Sequence, residues 1–267
     1  MVELYRDSGL DIYEKAHYSH GEHIAEVEQI LAWYLPRNTR ILDVGCSVGL
    51  HALEFGRRGF VVTGFDIEHS AISQAEKRAK DQKVEAEFRA LDLEKDDISS
   101  LGTFDLVYSI GNVMSHIRKD GMGDSLRKIR ACVDESGLFL FDVFINATPF
   151  REEVYEDDLG IVWKRKLDKQ TGHITMDGTF LAFGVTQHFQ VWAYTVEEIS
   201  ELLKRSGFSD VDFSDELDFS SSGSAVENPV CLNFRASTRS SFKTPFLAGS
   251  SILRSSKLAS LKLENSG

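Results

Sequence analysis

The sequence predicts an α/β fold in which strands of a parallel sheet alternate with helices. One apolar run, 40–44, ends in a glycine turn and leads directly into a helical segment, 50–58. A second apolar run, 60–65, ends in the carboxylate of Asp66. In open α/β sheets this arrangement builds an adenosine pocket. The turn lets the backbone approach the ligand, and the acid at the next strand end takes the ribose hydroxyls.

The remaining elements up to residue 146 continue the alternation. An aromatic-rich helical segment is predicted over 3–35; apolar residues recur with a helical period over 22–34, and Pro36 ends that helix. Mostly apolar runs and helical segments then follow one another, as buried parallel strands require. The predicted strands are 40–44, 60–65, 84–90, 104–110 and 137–144, and the predicted helices are 50–58, 70–80 and 124–133.

The pattern changes after residue 146. Weak alternation over 155–191, with Gly172 at a turn position, predicts antiparallel strands that form a lid over the cofactor face. Thr195 and Glu198 match a helix capping box, and Gly207 ends the helix that they begin. The last two strands are predicted at 211–217 and 230–235.

A single domain, 1–235, accommodates these elements. It comprises an N-terminal helical cap (1–36), a cofactor-binding core (37–146), the lid (147–192), and a closing helix with two strands (193–235). Residues 236–267 are rich in Ser, Lys and Arg and lie beyond the last strand that the fold needs. We expect a disordered tail there; a weak basic amphipathic helix over 252–263 is the alternative.

Composition narrows the function classes. The net charge of −12 disfavours nucleic acid, whose binding rests on Lys and Arg. No apolar run approaches the roughly 18 residues of a membrane span, and the first residues lack a signal-peptide layout, so a cytoplasmic protein is expected. His17, His20 and His23 recur every three residues, but Gly21 interrupts them and no cysteine completes a site, so no metal is predicted. The oligomeric state stays open.

Glycine spacing separates two classes of adenosine-binding enzyme. A dinucleotide fingerprint needs G-x-G-x-x-G to seat a pyrophosphate. Counting from Gly45, Ser47 and Leu50 occupy the second and third glycine positions. Asp43 at the strand end would repel a pyrophosphate, whereas it suits the sulfonium and ammonium of S-adenosylmethionine (SAM). The spacing therefore favours a SAM-dependent methyltransferase over a nicotinamide-dependent dehydrogenase.

The same residues carry a family resemblance. The run 43–51, Asp-Val-Gly-Cys-Ser-Val-Gly-Leu-His, resembles the [DE]-x-G-x-G-x-G motif of class I SAM-dependent methyltransferases, with Ser47 at the middle glycine. The resemblance spans about residues 36 to 234 and implies a Rossmann-like, seven-stranded, mostly parallel sheet with helices on both faces. It also implies the product S-adenosylhomocysteine. The cofactor-binding residues expected from it are Asp43, Gly45, Cys46, Gly49, Asp66, Ile67, Asp92, Leu93 and Ile110.

Roles follow from this resemblance for part of that set. Gly45 and Gly49 would border the methionine part of SAM. Asp66 would hold both ribose hydroxyls, since a carboxylate accepts two hydrogen bonds from a diol. Ile67 would pack on the adenine face, and Asp92 would take the adenine amino group.

A second motif concerns the acceptor. The run 110–117, Ile-Gly-Asn-Val-Met-Ser-His-Ile, resembles the Gly-Asn-[ST]-x-x-His-Leu stretch of glycine and glycine/sarcosine N-methyltransferases, and it is similar to N-methyltransferases of amino sugars. It implies that Asn112 orients the cofactor or the amine and that His116 acts as a base or caps the following turn. Small-molecule members often have an aromatic residue at the position of Tyr194.

The predicted function is in-line transfer of the SAM methyl group to a small-molecule acceptor, preferably an amine nitrogen. An amine needs only alignment and the loss of water and its proton, whereas a hydroxyl acceptor needs a base. O- or C-methylation and a non-catalytic SAM-binding module are the alternatives. The predicted catalytic residues are Asn112, His116 and Tyr194, and the predicted substrate-binding residues are Tyr13, Tyr18, Arg165 and His188. Core packing for the tyrosines and a solvated charge for Arg165 remain open.

Overall fold

Two β-sheets organise the chain, one of seven strands and one of four. The computed structural model describes residues 4–18, 21–32, 39–146, 153–157, 159–214 and 231–238. The helices in these ranges are α1 (Ser8–His17), α2 (Glu22–Leu31), α3 (Leu50–Arg57), α4 (His69–Gln82), α5 (Lys119–Cys132) and α6 (Val196–Arg205). The strands are β1 (Arg40–Val44), β2 (Val61–Asp66), β3 (Ala86–Ala90), β4 (Phe104–Ser109), β5 (Val133–Phe144), β6 (Glu153–Glu156), β7 (Ile161–Asp168), β8 (His173–Phe180), β9 (Val185–Trp192), β10 (Asp210–Ser214) and β11 (Cys231–Ser237).

The larger sheet is mostly parallel, with strand order β10-β11-β5-β4-β1-β2-β3. Strands β1 to β5 pair in parallel, whereas β11 runs antiparallel to both β5 and β10. Residues of α5 and α6 pack with the sheet in one core cluster, and residues of α2, α3 and α4 pack with it in another. The predicted Rossmann-like fold with helices on both sheet faces is confirmed. Its parallel strands share one carboxyl edge, where open α/β sheets bind ligands.

Two elements of this core are longer than their sequence patterns predicted. Helix α5 begins at Lys119 rather than at 124, although Gly121 and Gly123 lie in its first turns. Met122, between those glycines, is fully buried and anchors the early turns in the core. Strand β5 begins at Val133, immediately after the helix. Tertiary burial outweighs the low helix propensity of glycine here.

The N-terminal cap is divided into two helices. Gly21 adopts a left-handed conformation with φ of 80° and separates α1 from α2, where the sequence pattern suggested one helical segment. Glycine takes this conformation without the steric cost that other residues pay. Helix α2 ends at Leu31, and the predicted end at Pro36 lies outside the described residues.

The four-stranded sheet, here called the lid sheet, is antiparallel with order β6-β7-β8-β9. Gly172 turns the chain between β7 and β8 with φ of 74°, which confirms the predicted hairpin turn. Buried residues of the lid sheet, among them Phe180 and Phe189, pack with Leu4 and Ala16 of the N-terminal cap. The lid sheet therefore holds the cap against the rest of the domain.

The folded part extends past the predicted boundary at residue 235. Strand β11 continues to Ser237, Ala236 is fully buried, and Ser209 N donates to Ser237 O at 2.8 Å. Pairing with β10 and β5 explains the extension, since both neighbours contact Ala236 and Ser237 in register. The predicted tail beyond residue 238 lies outside the described residues.

The described residues lack both a membrane-spanning helix and a group of metal-binding side chains. No described helix combines the length and hydropathy needed to cross a membrane. The described residues also contain no group of three or more His, Cys, Asp and Glu side chains that could hold a metal ion. His20, one of the three spaced histidines, lies outside the described residues.

Helix α6 begins with the predicted capping box. Thr195 Oγ1 accepts from Glu198 N at 3.1 Å, and Glu198 Oε2 accepts from Thr195 N at 2.7 Å. The Thr195→Ala variant should lose about 1 kcal/mol of unfolding free energy, because a helix amide loses its acceptor. Urea denaturation measures this loss. Glu197→Gln changes a first-turn charge outside the box and should cost less than about 0.5 kcal/mol. Equal losses in the two variants would contradict a capping role.

Candidate functional site

A cavity of about 340 Å³ opens at the carboxyl edge of the parallel strands. This volume falls within the range of small-molecule sites. The loops after β1, β2, β3 and β4 line the cavity, together with residues of the N-terminal cap. Its lining includes Tyr5, Tyr13, Glu14, Tyr18, Asp43, Gly45, Cys46, Ser47, His51, Asp66, Ile67, Glu68, Leu93, Glu94, Tyr108, Ile110, Gly111, Val113 and His116.

The glycine turn after β1 is fixed to the end of β2. Gly45 N and Cys46 N both donate to Phe65 O, at 2.9 and 3.0 Å. Gly45 has φ of 78°, and Ser47, at the middle glycine position of the motif, also has a positive φ of 47°. A positive φ is uncommon for a residue with a side chain, so the turn imposes this conformation on Ser47. The turn brings the backbone to the cavity, as a closely approaching ligand requires.

Asp66 joins this turn to the loop after β2. Its Oδ2 accepts from Ser47 N and its Oδ1 accepts from Glu68 N, each at 2.9 Å. Burial raises the pKa of this carboxyl, and the amides of Glu68 and Ser47 act in the opposite direction. Each carboxylate oxygen has a second lone pair for a further donor. Asp66 is therefore oriented and able to bind a diol.

Asp43 lies at the end of β1 with only 4% of its surface exposed. Burial raises its pKa to about 6, whereas His51 and the Tyr108 hydroxyl lower it. A ligand cation at this place would stabilise the ionised carboxylate.

Aromatic rings from three parts of the chain meet at the cavity. The Tyr5 ring lies 5.2 Å from Tyr13, 5.9 Å from His116 and 5.6 Å from Phe189 of β9, measured between centroids. His116 ends a short 3-10 turn after β4, and burial lowers the pKa of its imidazole. The neutral imidazole thus faces the cavity beside two tyrosines.

Most of the known proteins that are similar to this chain are named as methyltransferases. The family described as "Methyltransferase domain" matches residues 41–137, which include the turn, Asp66 and β4. YqeM of Bacillus subtilis is named as a methyltransferase and is 26% identical to this chain over 201 residues. These residues are 68% of this chain and 79% of that protein. The chain is a SAM-dependent methyltransferase.

Two further relatives of this methyltransferase differ in their acceptors. The ubiquinone biosynthesis O-methyltransferase of Alkalilimnicola ehrlichii is 37% identical over 78 residues, 29% of this chain and 31% of that protein. The SAM-bound structure of CalS10, an amino pentose methyltransferase from Micromonospora echinaspora, has a TM-score of 0.63 at 18% identity. It covers 88% of this chain and 99% of that one.

The cavity of the methyltransferase fits SAM. Asp66 presents carboxylate oxygens that can accept from a diol, Gly45 lines the cavity beside it, and Asp43 is an acid that suits a ligand cation. Of the nine residues predicted for the cofactor, the lining contains seven: Asp43, Gly45, Cys46, Asp66, Ile67, Leu93 and Ile110.

The other two residues predicted for the cofactor, Asp92 and Gly49, lie outside the cavity lining. Asp92 does not line the cavity; its carboxylate accepts from Lys95 Nζ at 2.7 Å and from Glu94 N at 3.0 Å, which directs it into its own loop. Leu91, Leu93 and Glu94 line the cavity instead. Gly49 does not line it either. A Cβ at Gly49 would meet Phe88 at 2.9 Å and Ala75 at 3.0 Å, so this glycine permits close packing of α3 on the sheet.

Two of the three predicted catalytic residues also lie outside the lining. The Asn112 amide oxygen accepts from Cys231 Sγ at 3.0 Å, and its neighbours Gly111 and Val113 line the cavity. Tyr194 is 1% exposed, and its hydroxyl donates to Ile117 O at 3.2 Å, so it is a core residue. His116 is the predicted catalytic residue that the cavity contains.

The predicted substrate residues divide in the same way. Tyr13 and Tyr18 line the cavity. Arg165 is 5% exposed within the lid sheet and is absent from the lining. His188 lies on the exposed side of β9, where its Nδ1 pairs with Asp177 at 2.7 Å, and it is also absent from the lining.

Among the polar lining residues that sequence reasoning missed are Tyr5, His51 and Tyr108. His51 ended the quoted glycine motif, and Tyr108 interrupts the apolar run of β4. A polar hydroxyl in a buried parallel strand was the available signal for Tyr108, because such strands are otherwise apolar. Tyr5 had no signal, since the segment before α1 has no pattern of its own.

Proposed function

We propose that this methyltransferase methylates the amine nitrogen of a small molecule. The observation that carries the proposal is the aromatic corner formed by Tyr5, Tyr13 and His116 at the cavity. Tyrosine faces attract cations, and none of the described lining residues is a Lys or Arg that would repel one. The net charge of −12 likewise supports a cationic small molecule over a nucleic acid.

His116 supplies the base that an amine acceptor needs. Because burial lowers its pKa, the imidazole is neutral at physiological pH and can take the proton from the bound ammonium. SAM supplies a methyl group on a sulfonium leaving group. With SAM bound, the nitrogen lone pair would form the new N–C bond, the C–S bond would break with its electron pair on sulfur, and His116 would take the proton. The tyrosines exclude water and align the nitrogen with the methyl group.

O-methylation is the second candidate function. It is favoured by the 37% identity over 78 residues to a ubiquinone biosynthesis O-methyltransferase. His116 would then take the proton of a hydroxyl acceptor. CalS10, described as an amino pentose methyltransferase, has the same fold and supports the amine candidate.

Transfer of isotope-labelled methyl from SAM, followed by mass spectrometry, separates the two candidates. The acceptor panel contains glycine, sarcosine, other amino acids, amino sugars, polyamines and phenols. Label on an amine nitrogen is the expected result. Label confined to phenols would overturn the amine proposal and leave the methyltransferase assignment intact.

The His116→Gln variant should lower kcat about 100-fold for an amine acceptor near neutral pH. Its rate should recover as the pH approaches the pKa of the acceptor, because the free amine then forms without a base. In the unmodified enzyme, the rate should hold until the pH falls below the lowered pKa of His116. Steady-state pH profiles measure both effects. His188→Gln, on the exposed side of the lid sheet, is the control and should retain the unmodified profile.

A further inference from the structure

His51 occupies a distinctive place in the cavity. It lies in the first turn of α3, directly after the glycine turn, and lines the cavity with its side chain only 13% exposed. Its Nε2 lies 2.6 Å from Glu26 Oε2 of α2. The rings of Tyr18 and Tyr108 pack against it with centroids 5.6 and 6.5 Å away. One edge of the imidazole is therefore held by the N-terminal cap.

The second ring nitrogen of His51 is available for a ligand. Among the described residues, none makes a hydrogen bond to its Nδ1, whereas Nε2 is engaged by Glu26. Asp66 and Ile67, at the end of β2, mark the adenosine side of the cavity. His51 instead neighbours Asp43 of β1 and Tyr108 of β4. This is the side left for the amino-acid part of SAM.

The surroundings favour a positive charge on His51. Burial acts against the charged imidazole, but the hydrogen bond and charge of Glu26, together with Asp43 and Asp142, raise its pKa above the usual value. His116 is the other basic residue of the described lining, and burial lowers its pKa. Two arginines pair with lining acids and so are committed elsewhere: Arg6 with Glu68 and Arg78 with Glu14.

We propose that His51, held by Glu26, binds the carboxylate of the methionine part of SAM. The amino-acid part is a zwitterion, and on this side of the cavity Asp43 and His51 offer it one group of each sign. Asp43 faces the ammonium, and His51 donates through Nδ1 to the carboxylate. Asp43, Asp142 and Glu26 would repel an unpaired ligand carboxylate, so the positive charge of His51 is needed there. Glu26 is a positioning residue in this arrangement.

Two ligands that differ only in the carboxylate test the proposal. Decarboxylated SAM keeps the adenosine, sulfonium and amine of SAM. Isothermal titration calorimetry should show that His51→Gln weakens SAM binding by about 10- to 100-fold, the range for a hydrogen bond between charged groups. The same variant should change the affinity for decarboxylated SAM less than about threefold.

Two outcomes would overturn the proposal. Equal weakening of both ligands would mean that His51 only supports the fold of the cavity, and unchanged binding of both would remove it from the site. Should His51→Gln fold poorly by circular dichroism, Glu26→Gln provides the same comparison, with a smaller but still SAM-selective loss. Glu28→Gln is the matched control on α2. Glu28 pairs with Arg58 at 3.3 Å, does not line the cavity, and should leave both affinities unchanged.

Discussion

Replacement of Asp66 by Asn should weaken S-adenosylhomocysteine binding by about 100-fold. The carboxylate already accepts from the amides of Ser47 and Glu68, and its remaining lone pairs are left for a ribose diol. Asn has one carbonyl oxygen and no charge. Its side-chain NH2 group would face either a backbone amide or a ribose hydroxyl, and both of these also donate. Loss of hydrogen bonds to a charged group costs about 3 kcal/mol in total, which is about two orders of magnitude in the dissociation constant. Titration calorimetry measures it.

Asp92 provides the matched control for this prediction. It is another acid that follows a strand of the same sheet, but its carboxylate contacts Lys95 and the Glu94 amide and does not line the cavity. The Asp92→Asn variant should therefore change the dissociation constant less than about twofold. Weak binding in Asp92→Asn together with normal binding in Asp66→Asn would reverse the roles of the two acids.

These two acids show how far the sequence could predict the site. Asp66 ends strand β2 and Asp92 follows strand β3. The order of strands and helices could be predicted from the sequence because it depends on local periodicity. The amide of Ser47, 19 residues away, binds Asp66 and has no counterpart for Asp92. The Asp92 carboxylate instead accepts hydrogen bonds from residues two and three positions further along the chain. The sequence predicts that an acid stands at a strand end, but the direction of its side chain depends on contacts that form only in the fold.

Asn112 and Tyr194 illustrate the same limit. The motif predicted that the Asn112 amide would meet the ligand, but Cys231, far along the chain, takes the amide oxygen. Tyr194 directly precedes a well-predicted helix, yet its hydroxyl satisfies the carbonyl of Ile117 in the core. Conversely, His51 and Glu26 come from different helices, and the sequence pattern of neither helix predicts the hydrogen bond between them. Side-chain partners across the fold decide which polar residues remain for a ligand.

Replacement of Gly45 by Ala should weaken SAM binding at least tenfold and slow methyl transfer. Gly45 has φ of 78°, which costs an alanine about 1 kcal/mol. Its Cβ would also lie 2.5 Å from Val113 Cγ1 and 2.8 Å from Val113 Cγ2, far inside van der Waals contact. Val113 begins the short turn that ends at His116. Relief of the clash must therefore move the glycine turn or the loop that carries the proposed base.

The Gly59→Ala variant separates the two components of this effect. Gly59 also has a positive φ, of 87°, but a Cβ there would meet no atom within 4 Å. It should lose about 1 kcal/mol of unfolding free energy and keep its affinity for S-adenosylhomocysteine, whereas Gly45→Ala should lose about 2–4 kcal/mol and bind at least tenfold more weakly. The Gly45→Ala/Val113→Ala double variant removes the clashing methyl groups and should recover part of the binding. If Gly45→Ala binds normally, the glycine turn tolerates a side chain beside the cofactor. If the double variant recovers nothing, backbone conformation rather than contact with Val113 makes glycine necessary.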